Sequence, residues 1–189
     1  MSNLFEHLSL FLYFKKAKNM NRIFLIGYMG SGKTTIGKLL AEQLNFTFVD
    51  MDTHIEEKHF KSVSQIFAEL GEEQFRLLEQ QCLHEVSEFE KVVIATGGGA
   101  PCFFDNMEYM NQHGLTVYIN ISVEQLAIRL ENSRANKRPL LANRKGDELK
   151  TFIAEGLAKR ESFYKKAYLS ASGTDEEILN QICLNLNLV

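Results

Sequence analysis

One eight-residue segment constrains the fold of this chain more than any other feature. Residues 27–34 read Gly-Tyr-Met-Gly-Ser-Gly-Lys-Thr and fit the pattern G-x-x-x-x-G-K-[ST]. The segment follows an apolar run at 22–26 that is typical of a buried strand. It precedes residues 34–44, whose apolar positions recur at helical spacing. A strand, a glycine-rich turn and a helix in this order predict a phosphate-binding P-loop.

The P-loop predicts which residues would bind a nucleotide. Its glycines let successive backbone N–H groups turn toward phosphate oxygens, and the helix that follows adds the positive end of its dipole. Lys33 would reach the β- and γ-phosphates of ATP, and the Thr34 hydroxyl would coordinate Mg²⁺. A P-loop alone does not distinguish a kinase from a GTPase, a motor or an ATP-driven switch. The predicted ATP-binding residues of the loop are Gly30, Ser31, Gly32, Lys33, Thr34 and Thr35.

Strand and helix signals alternate along the rest of the chain. Strands are predicted at 22–26, 46–49, 92–95, 115–121 and 168–171. Helices are predicted at 34–44, 64–70, 72–89, from 123, at 147–166 and from 175. Strands separated by helices indicate a parallel sheet covered on both faces, which binds ligands at the carboxyl ends of its strands.

Composition limits the class of protein. The chain has 189 residues, enough for one domain, and a net charge of −3, which argues against general affinity for nucleic acid or an acidic membrane. No apolar run is long enough to cross a bilayer. The cysteines match no zinc or redox spacing and are predicted to be small buried hydrophobes in a reducing cytosol: Cys82, Cys102 and Cys183. We therefore expect a cytoplasmic monomer.

Two carboxylates follow the second predicted strand. Asp50 and Asp52 alternate at its end, so both are expected to project from the same side. Beside a triphosphate, such a pair can hold Mg²⁺ through water or accept the proton of an acceptor hydroxyl. The alternative is a polar strand end with a helix cap, which suits Asp50 better than Asp52.

Three further segments are candidates for substrate contacts. The run Gly97-Gly98-Gly99 after a buried strand indicates a backbone that a ligand approaches closely, although a loose turn is the alternative. The basic stretch at 132–146, which includes Arg134 and Arg138, suits a mobile lid over a transferring phosphate, or else a solvated loop. Arg76 and Arg160, both predicted to lie within helices, could bind a ligand or form ordinary surface salt bridges.

The first 19 residues are treated separately from the domain at 20–189. An apolar patch at 8–14 is followed by lysines and preceded by Glu6, the reverse of a signal peptide. This arm could be amphipathic, could bind a partner, or could be a leader translated upstream of the true start. We favour the last, because strand signals begin only after Met20.

The motifs together resemble the shikimate kinase family. They are the P-loop, Asp50-x-Asp52, Phe75-Arg76-x-x-Glu79, Gly97-Gly98-Gly99-Ala100, Arg138-Pro139-Leu140-Leu141 and Arg160-x-x-x-Tyr164. They run in the family's order and cover about residues 21–188. The resemblance implies a three-layer P-loop NTPase fold of the nucleoside-monophosphate-kinase type, whose five-stranded parallel sheet has the order 2-3-1-4-5.

The resemblance also implies an activity and residue roles. The activity is ATP-dependent phosphorylation of the shikimate 3-hydroxyl, a step towards chorismate and the aromatic amino acids. Asp52 would accept the hydroxyl proton, and Asp50 would organise Mg²⁺ through water. Arg76 and Arg160 would grip the substrate carboxylate, and the glycine run would meet the substrate through the backbone of Gly98. Arg138, on the lid, would contact the ATP phosphates and act in catalysis beside Lys33.

Two alternatives stay open at this point. One is another small-molecule P-loop kinase, such as a gluconate or nucleoside monophosphate kinase, with the same fold and a different acceptor. The other is a P-loop regulatory protein that hydrolyses ATP slowly and signals through its lid. ADP release that depends on shikimate would separate both alternatives from a shikimate kinase.

Overall fold

Five parallel strands form the sheet at the centre of the protein. In the computed structural model, which describes residues 21–132 and 144–186, their spatial order is β2-β3-β1-β4-β5. The strands are β1 Arg22–Ile26, β2 Thr47–Asp50, β3 Val92–Ala95, β4 Leu115–Ile119 and β5 Leu169–Ala171. Because β1, β3 and β4 are buried along almost their whole length, they are rich in Val, Ile and Leu. The predicted fold class and strand order are confirmed.

Helices surround the sheet and begin at recognisable signals. Ser62 and Thr174 each cap a helix through a reciprocal pair of hydrogen bonds with the residue three positions later. The helices of the described residues are α1 Lys33–Leu44, α2 Met51–His59, α3 Val63–Val86, α4 Asn106–His113, α5 Val123–Asn132, α6 Gly146–Ala158, α7 Glu161–Tyr164 and α8 Asp175–Asn185, with a 3-10 helix at Ala100–Cys102. None of these helices is long and apolar enough to cross a membrane.

The strand register brings three loops to one edge of the sheet. Leu25 of β1 pairs with Ala95 of β3, and Asp50 of β2 pairs with the same Ala95. The chain therefore leaves β1, β2 and β3 side by side, at their carboxyl ends. The P-loop, the Asp50–Asp52 segment and the glycine run all start from this edge, as expected for ligand sites of parallel sheets.

Two helices differ from the prediction near the candidate site. The second strand ends at Asp50, and Asp52 lies in the first turn of α2, so the two carboxylates do not alternate along a strand. The late helix predicted at 147–166 stops at Ala158, and Arg160 is the N-cap of the short helix α7 rather than an internal residue. Burial of Tyr164 in the core accounts for that break, because tertiary packing overrides local helix propensity.

Two other predictions concern α3 and α4. The break predicted between residues 70 and 72 is present as a single non-helical residue within α3, Gly71, with φ 77° and ψ 172°. Helix α4 was not predicted, because its sequence is mostly polar and only Met107 and Met110 among its apolar residues are buried.

Some predictions lie outside the described residues. These are the arm at 1–19 and most of the lid at 132–146, with both Arg134 and Arg138. The cysteines are all described: Cys82 and Cys183 are buried, Cys102 is half-buried, and all three are free thiols.

Candidate active site

The P-loop forms a tight turn between β1 and α1. Gly32 caps α1 with φ 98°, a left-handed conformation that favours glycine. The Lys33 ammonium donates hydrogen bonds to the carbonyl oxygens of Gly27 (2.9 Å) and Tyr28 (3.0 Å), so it lies across the loop. The loop amides and this ammonium face the space where the dipole of α1 favours an anion. This geometry suits the phosphates of a nucleotide.

Thr34 and Asp50 form a pair of oxygen ligands beside the P-loop. The Thr34 hydroxyl donates to Asp50 Oδ2 at 2.7 Å. The other oxygen, Asp50 Oδ1, accepts the backbone N–H groups of Asp52 and Thr53 and so caps α2. Asp50 therefore caps α2 with one oxygen and contacts the Thr34 hydroxyl with the other. A hydroxyl and a carboxylate in contact are ligands that suit Mg²⁺, which prefers oxygen donors and retains water.

Three consecutive glycines form the floor of a second subsite, and we call residues 97–99 the glycine floor. A methyl group added at Gly97 would collide with the Glu79 carboxylate and would lie 3.0 Å from Asp52 Oδ1. One added at Gly99 would lie 2.7 Å from Nη1 of Arg76. A side chain at Gly97 or Gly99 would therefore displace the charged groups that lie against these residues, whereas a Cβ at Gly98 would make only ordinary contacts.

Arg160 joins this subsite from the other end of the chain. Its Nη1 lies 3.8 Å from the position that a Cβ of Gly98 would occupy, and its guanidinium lies 5.4 Å from the centre of the Tyr28 ring. The break between α6 and α7 places Arg160 here. The structure thus brings Asp52, Arg76 and Arg160 together over the glycine floor.

Arg76 is held on several sides rather than exposed in a surface salt bridge. It is 8% exposed, and its guanidinium donates to Glu79 at 2.7 Å and to Glu72 at 3.2 Å. Three aromatic rings also surround it, with centres 4.2–5.5 Å from Cζ: Phe67, Phe75 and Phe103. Its Nε is buried and has no hydrogen-bond partner among the described residues. The buried Nε is out of reach of a ligand, whereas the Nη groups beside Gly99 are in a position that suits a carboxylate.

Glu79 is a member of the site to which the sequence analysis assigned no role. It is 1% exposed, and burial raises the pKa of its carboxyl to about 7, although the neighbouring Arg76 acts in the opposite direction. Asp52 raises this pKa further, and Arg160 lowers it. Glu79 therefore orients Arg76 and carries a charge that depends on pH near neutrality. In the sequence, the position of Glu79 three residues after Arg76 on a predicted helix could have indicated that the two side chains interact.

A shallow hollow beside the P-loop is a second feature that the sequence did not reveal. Arg129 on α5 donates to the Ser31 carbonyl at 3.0 Å and to Asp175 Oδ1 at 2.8 Å. The hollow is lined by Gln125, Ile128, Arg129, Gly173, Thr174 and Asp175. It lies where α5 and the start of α8 meet the P-loop, so it can take a flat group attached to the phosphates. Arg134, which the sequence analysis placed in the lid, lies outside the described residues.

Fold and site together define a class of protein. A P-loop on a parallel sheet of order 2-3-1-4-5 binds nucleotide phosphates, and an adjoining subsite with two arginines and a carboxylate suits a small anionic acceptor. This combination is that of a small-molecule P-loop kinase. The particular family follows from comparison: the profile of "Shikimate kinase" matches residues 29–187, and the chain belongs to the shikimate kinase family.

Individual relatives agree with this assignment. The chain is 59% identical over 151 residues to a shikimate kinase of Parabacteroides distasonis, covering 80% of this chain and 87% of the relative. A crystal structure of shikimate kinase from Bacteroides thetaiotaomicron superposes with a TM-score of 0.82 at 47% identity, over 88% of this chain and 97% of that one. The shikimate kinase of Acinetobacter baumannii in complex with shikimate gives 0.80 at 33% identity, over 93% and 97%. The predicted ATP-dependent shikimate kinase is confirmed.

Proposed function

We propose that this chain transfers the γ-phosphate of ATP to the 3-hydroxyl of shikimate at the edge of the sheet that carries the P-loop and the glycine floor. The observation that carries the proposal is the meeting of Arg76, Arg160 and Asp52 over residues 97–99. Two guanidinium groups and one carboxylate complement an acceptor that carries one carboxylate and several hydroxyls. The structure of the Acinetobacter baumannii relative is in complex with shikimate, which supports the same acceptor here.

The arginines orient the acceptor in this proposal. Arg76, fixed by Glu79 and by aromatic rings, offers the Nη groups of its guanidinium beside Gly99, and Arg160 approaches from the side of Gly98. Two planar forks hold a carboxylate in a defined plane, so the ring is held in one orientation. The backbone of the glycine floor, and of Gly98 above all, then meets the ring directly.

Asp52 faces the reacting hydroxyl. As the hydroxyl oxygen attacks the γ-phosphorus, the bond from that phosphorus to the β,γ-bridging oxygen breaks and ADP leaves with the electron pair. The hydroxyl proton passes to the Asp52 carboxylate, which is exposed at the start of α2 and therefore accessible to a ligand. Positioning and charge neutralisation supply most of the remaining rate enhancement in phosphoryl transfer.

The charge of the transferred group is neutralised from the P-loop side. Lys33 contacts the β- and γ-phosphates, and the loop amides of residues 30–35 surround them. Thr34 would hold Mg²⁺ directly and Asp50 through water, and the metal would supply positive charge that offsets the charge of the phosphates. Arg138, outside the described residues, would add positive charge from the lid at 132–146. The nucleotide base would occupy the hollow beside Arg129 and Asp175.

The proposal also includes the location, the oligomeric state and the partners of the enzyme. A net charge of −3 argues against a general affinity for nucleic acid or anionic lipid, and the three cysteines are free thiols, as a reducing compartment favours. We therefore place the enzyme in the cytoplasm, as a monomer without nucleic-acid or membrane partners, with its domain beginning near Met20.

A shikimate analogue tests the acceptor assignment. Reducing the shikimate carboxylate to an alcohol removes the group that Arg76 and Arg160 bind, so the wild type should use the analogue poorly. Each arginine contributes about 1.5–3 kcal/mol as a charged hydrogen bond, so Arg160→Lys should raise the KM for shikimate roughly tenfold to a hundredfold. The same variant should discriminate much less against the analogue. The matched control is Arg22→Lys, on β1 away from the site.

Two results of the analogue experiment would contradict the acceptor assignment. If Arg160→Lys rejects the analogue as strongly as the wild type does, the arginine does not read the carboxylate. If Arg22→Lys behaves as Arg160→Lys does, the effect is not specific to the site.

A further inference from the structure

The hydroxyl of Tyr164 joins two parts of the chain that the proposed function assigns to shikimate. Tyr164 is the last residue of α7, is fully buried, and donates a hydrogen bond to the carbonyl oxygen of Gly98 at 2.5 Å. Gly98 is the middle residue of the glycine floor, and Arg160 is the N-cap of α7. One side chain therefore connects the floor to the short helix that carries an acceptor-binding arginine.

The position of Gly98 explains why a hydrogen bond to its backbone matters. A Cβ at this position would lie 3.4 Å from the Met29 amide nitrogen, 3.5 Å from the Gly27 carbonyl oxygen and 3.8 Å from Nη1 of Arg160, so its backbone lies between the P-loop and that arginine. Three successive glycines have few conformational restraints of their own. Because a peptide unit is planar, a bond that fixes the Gly98 carbonyl also fixes the direction of the Gly99 amide.

The surroundings of Tyr164 keep its hydroxyl available as a donor. Burial raises the pKa of this hydroxyl, although the charge of Arg160 and a hydrogen bond from its side chain to the hydroxyl oppose the shift. The phenol therefore remains protonated at neutral pH. Its ring packs against Tyr118 with ring centres 5.1 Å apart, which restricts the direction of the hydroxyl. A rigid, protonated donor is what a positioning bond requires.

We propose that Tyr164 is a positioning residue for the acceptor, which fixes the glycine floor relative to Arg160 through its hydrogen bond to Gly98. The inference rests on the proposed function, because only there does the floor bind shikimate. With the bond in place, the floor and the arginine meet one substrate molecule in a preset geometry. Without it, the Gly98 carbonyl loses its donor, and substrate binding must restrict a looser backbone.

A pair of isosteric variants tests this inference. Tyr164→Phe removes the hydroxyl alone. Tyr118→Phe is the matched control, because its ring belongs to the same aromatic pair and its buried hydroxyl has no hydrogen-bond partner among the described residues. A lost hydrogen bond to a buried carbonyl predicts a rise of roughly 5- to 20-fold in the KM for shikimate in Tyr164→Phe. The KM for ATP should not change in either variant, and Tyr118→Phe should keep the wild-type KM for shikimate.

A double-mutant cycle separates positioning from a general structural effect. If Tyr164 acts through the geometry between the floor and Arg160, Tyr164→Phe should raise the KM for shikimate less in an Arg160→Lys background than in the wild type. Full additivity, an unchanged KM for shikimate in Tyr164→Phe, an equal rise in Tyr118→Phe, or parallel rises in both KM values would overturn the inference. So would failure of Tyr164→Phe to fold, since the bond would then be structural.

Different results would contradict the proposed function and the positioning role of Tyr164. A wild type that releases no ADP in the presence of shikimate contradicts the proposed function, and this inference with it. An active wild type with a normal Tyr164→Phe variant contradicts the positioning role alone.

Discussion

Replacing Arg76 with alanine should destabilise the protein by an amount that increases with pH. Arg76 is the ion-pair partner of Glu79 at 2.7 Å, and Glu79 is 1% exposed. Burial raises the pKa of Glu79 to about 7 even with Arg76 present; Asp52 raises it further, and Arg160 lowers it. Loss of Arg76 removes the largest opposing influence, so the pKa of Glu79 in the folded variant must rise further.

The direction in which stability changes with pH follows from proton linkage. The pKa of Glu79 is higher in the folded protein than its ordinary value of 4.5, so between these values the folded state binds more protons than the unfolded state. This carboxyl therefore lowers the free energy of unfolding as pH rises through that window, and in the wild type the loss ends near pH 7. In Arg76→Ala it continues above pH 7, by up to about 1.4 kcal/mol per pH unit. The total penalty should approach the roughly 3–5 kcal/mol typical of breaking a buried ion pair.

Urea unfolding between pH 6 and pH 9 measures the effect. Arg76→Ala should lose more stability relative to the wild type at pH 8 than at pH 6. The double variant Arg76→Ala with Glu79→Gln has no titrating group at this position, so its deficit relative to the wild type should shrink as the wild type loses stability up to about pH 7, and should then stay nearly constant. An Arg76→Ala deficit that stays flat from pH 6 to pH 9, or a double variant with the same slope, would refute the reasoning.

Three other predictions concern the reaction and the arm. Lys33→Ala should lower kcat by at least about 10²-fold with an unchanged melting temperature, as expected for loss of a charge that stabilises the transition state; near-normal turnover would contradict the P-loop assignment. Asp52→Asn should lower kcat by roughly 10²- to 10⁴-fold and leave the KM for ATP unchanged; a change in KM alone would exclude proton transfer to Asp52. A chain shortened to begin at Met20 should melt and turn over like the full chain, and a marked loss of either would show that residues 1–19 contribute to the domain.

Sequence patterns predicted the sheet well because its strands are buried on both faces. The strands predicted at 22–26 and 92–95 match the observed strands residue for residue, because few other local structures fit a short apolar run between turn signals. The P-loop was equally clear, because its glycines, lysine and threonine have fixed positions relative to the flanking strand and helix.

The sequence was less informative where tertiary contacts decide the local structure. Helix α2 begins where the Asp50 side chain caps it, and only the fold shows that Asp52 then belongs to a helical turn. The break before α7 depends on burying Tyr164, which no local pattern indicates. The roles of Glu79 and Tyr164 depend on partners, and in the case of Tyr164 the partner, Gly98, is 66 residues away.

The hollow beside Arg129 was not predicted for a similar reason. Arg129 and Asp175 lie on different helices and meet because α5 ends and α8 begins near the P-loop. Neither residue belongs to a recognisable motif. Sites assembled from single residues of distant elements require the structure, whereas motifs that are contiguous in the chain do not.

The central claim is that this chain phosphorylates shikimate, and the most direct test is ADP release measured in a coupled assay with and without shikimate, followed by mass and ³¹P analysis of the product. The account predicts turnover that requires shikimate, ATP and Mg²⁺ together, and a product that carries one phosphate on the 3-hydroxyl. ADP release at the same rate without shikimate, or phosphate on another hydroxyl, would contradict it.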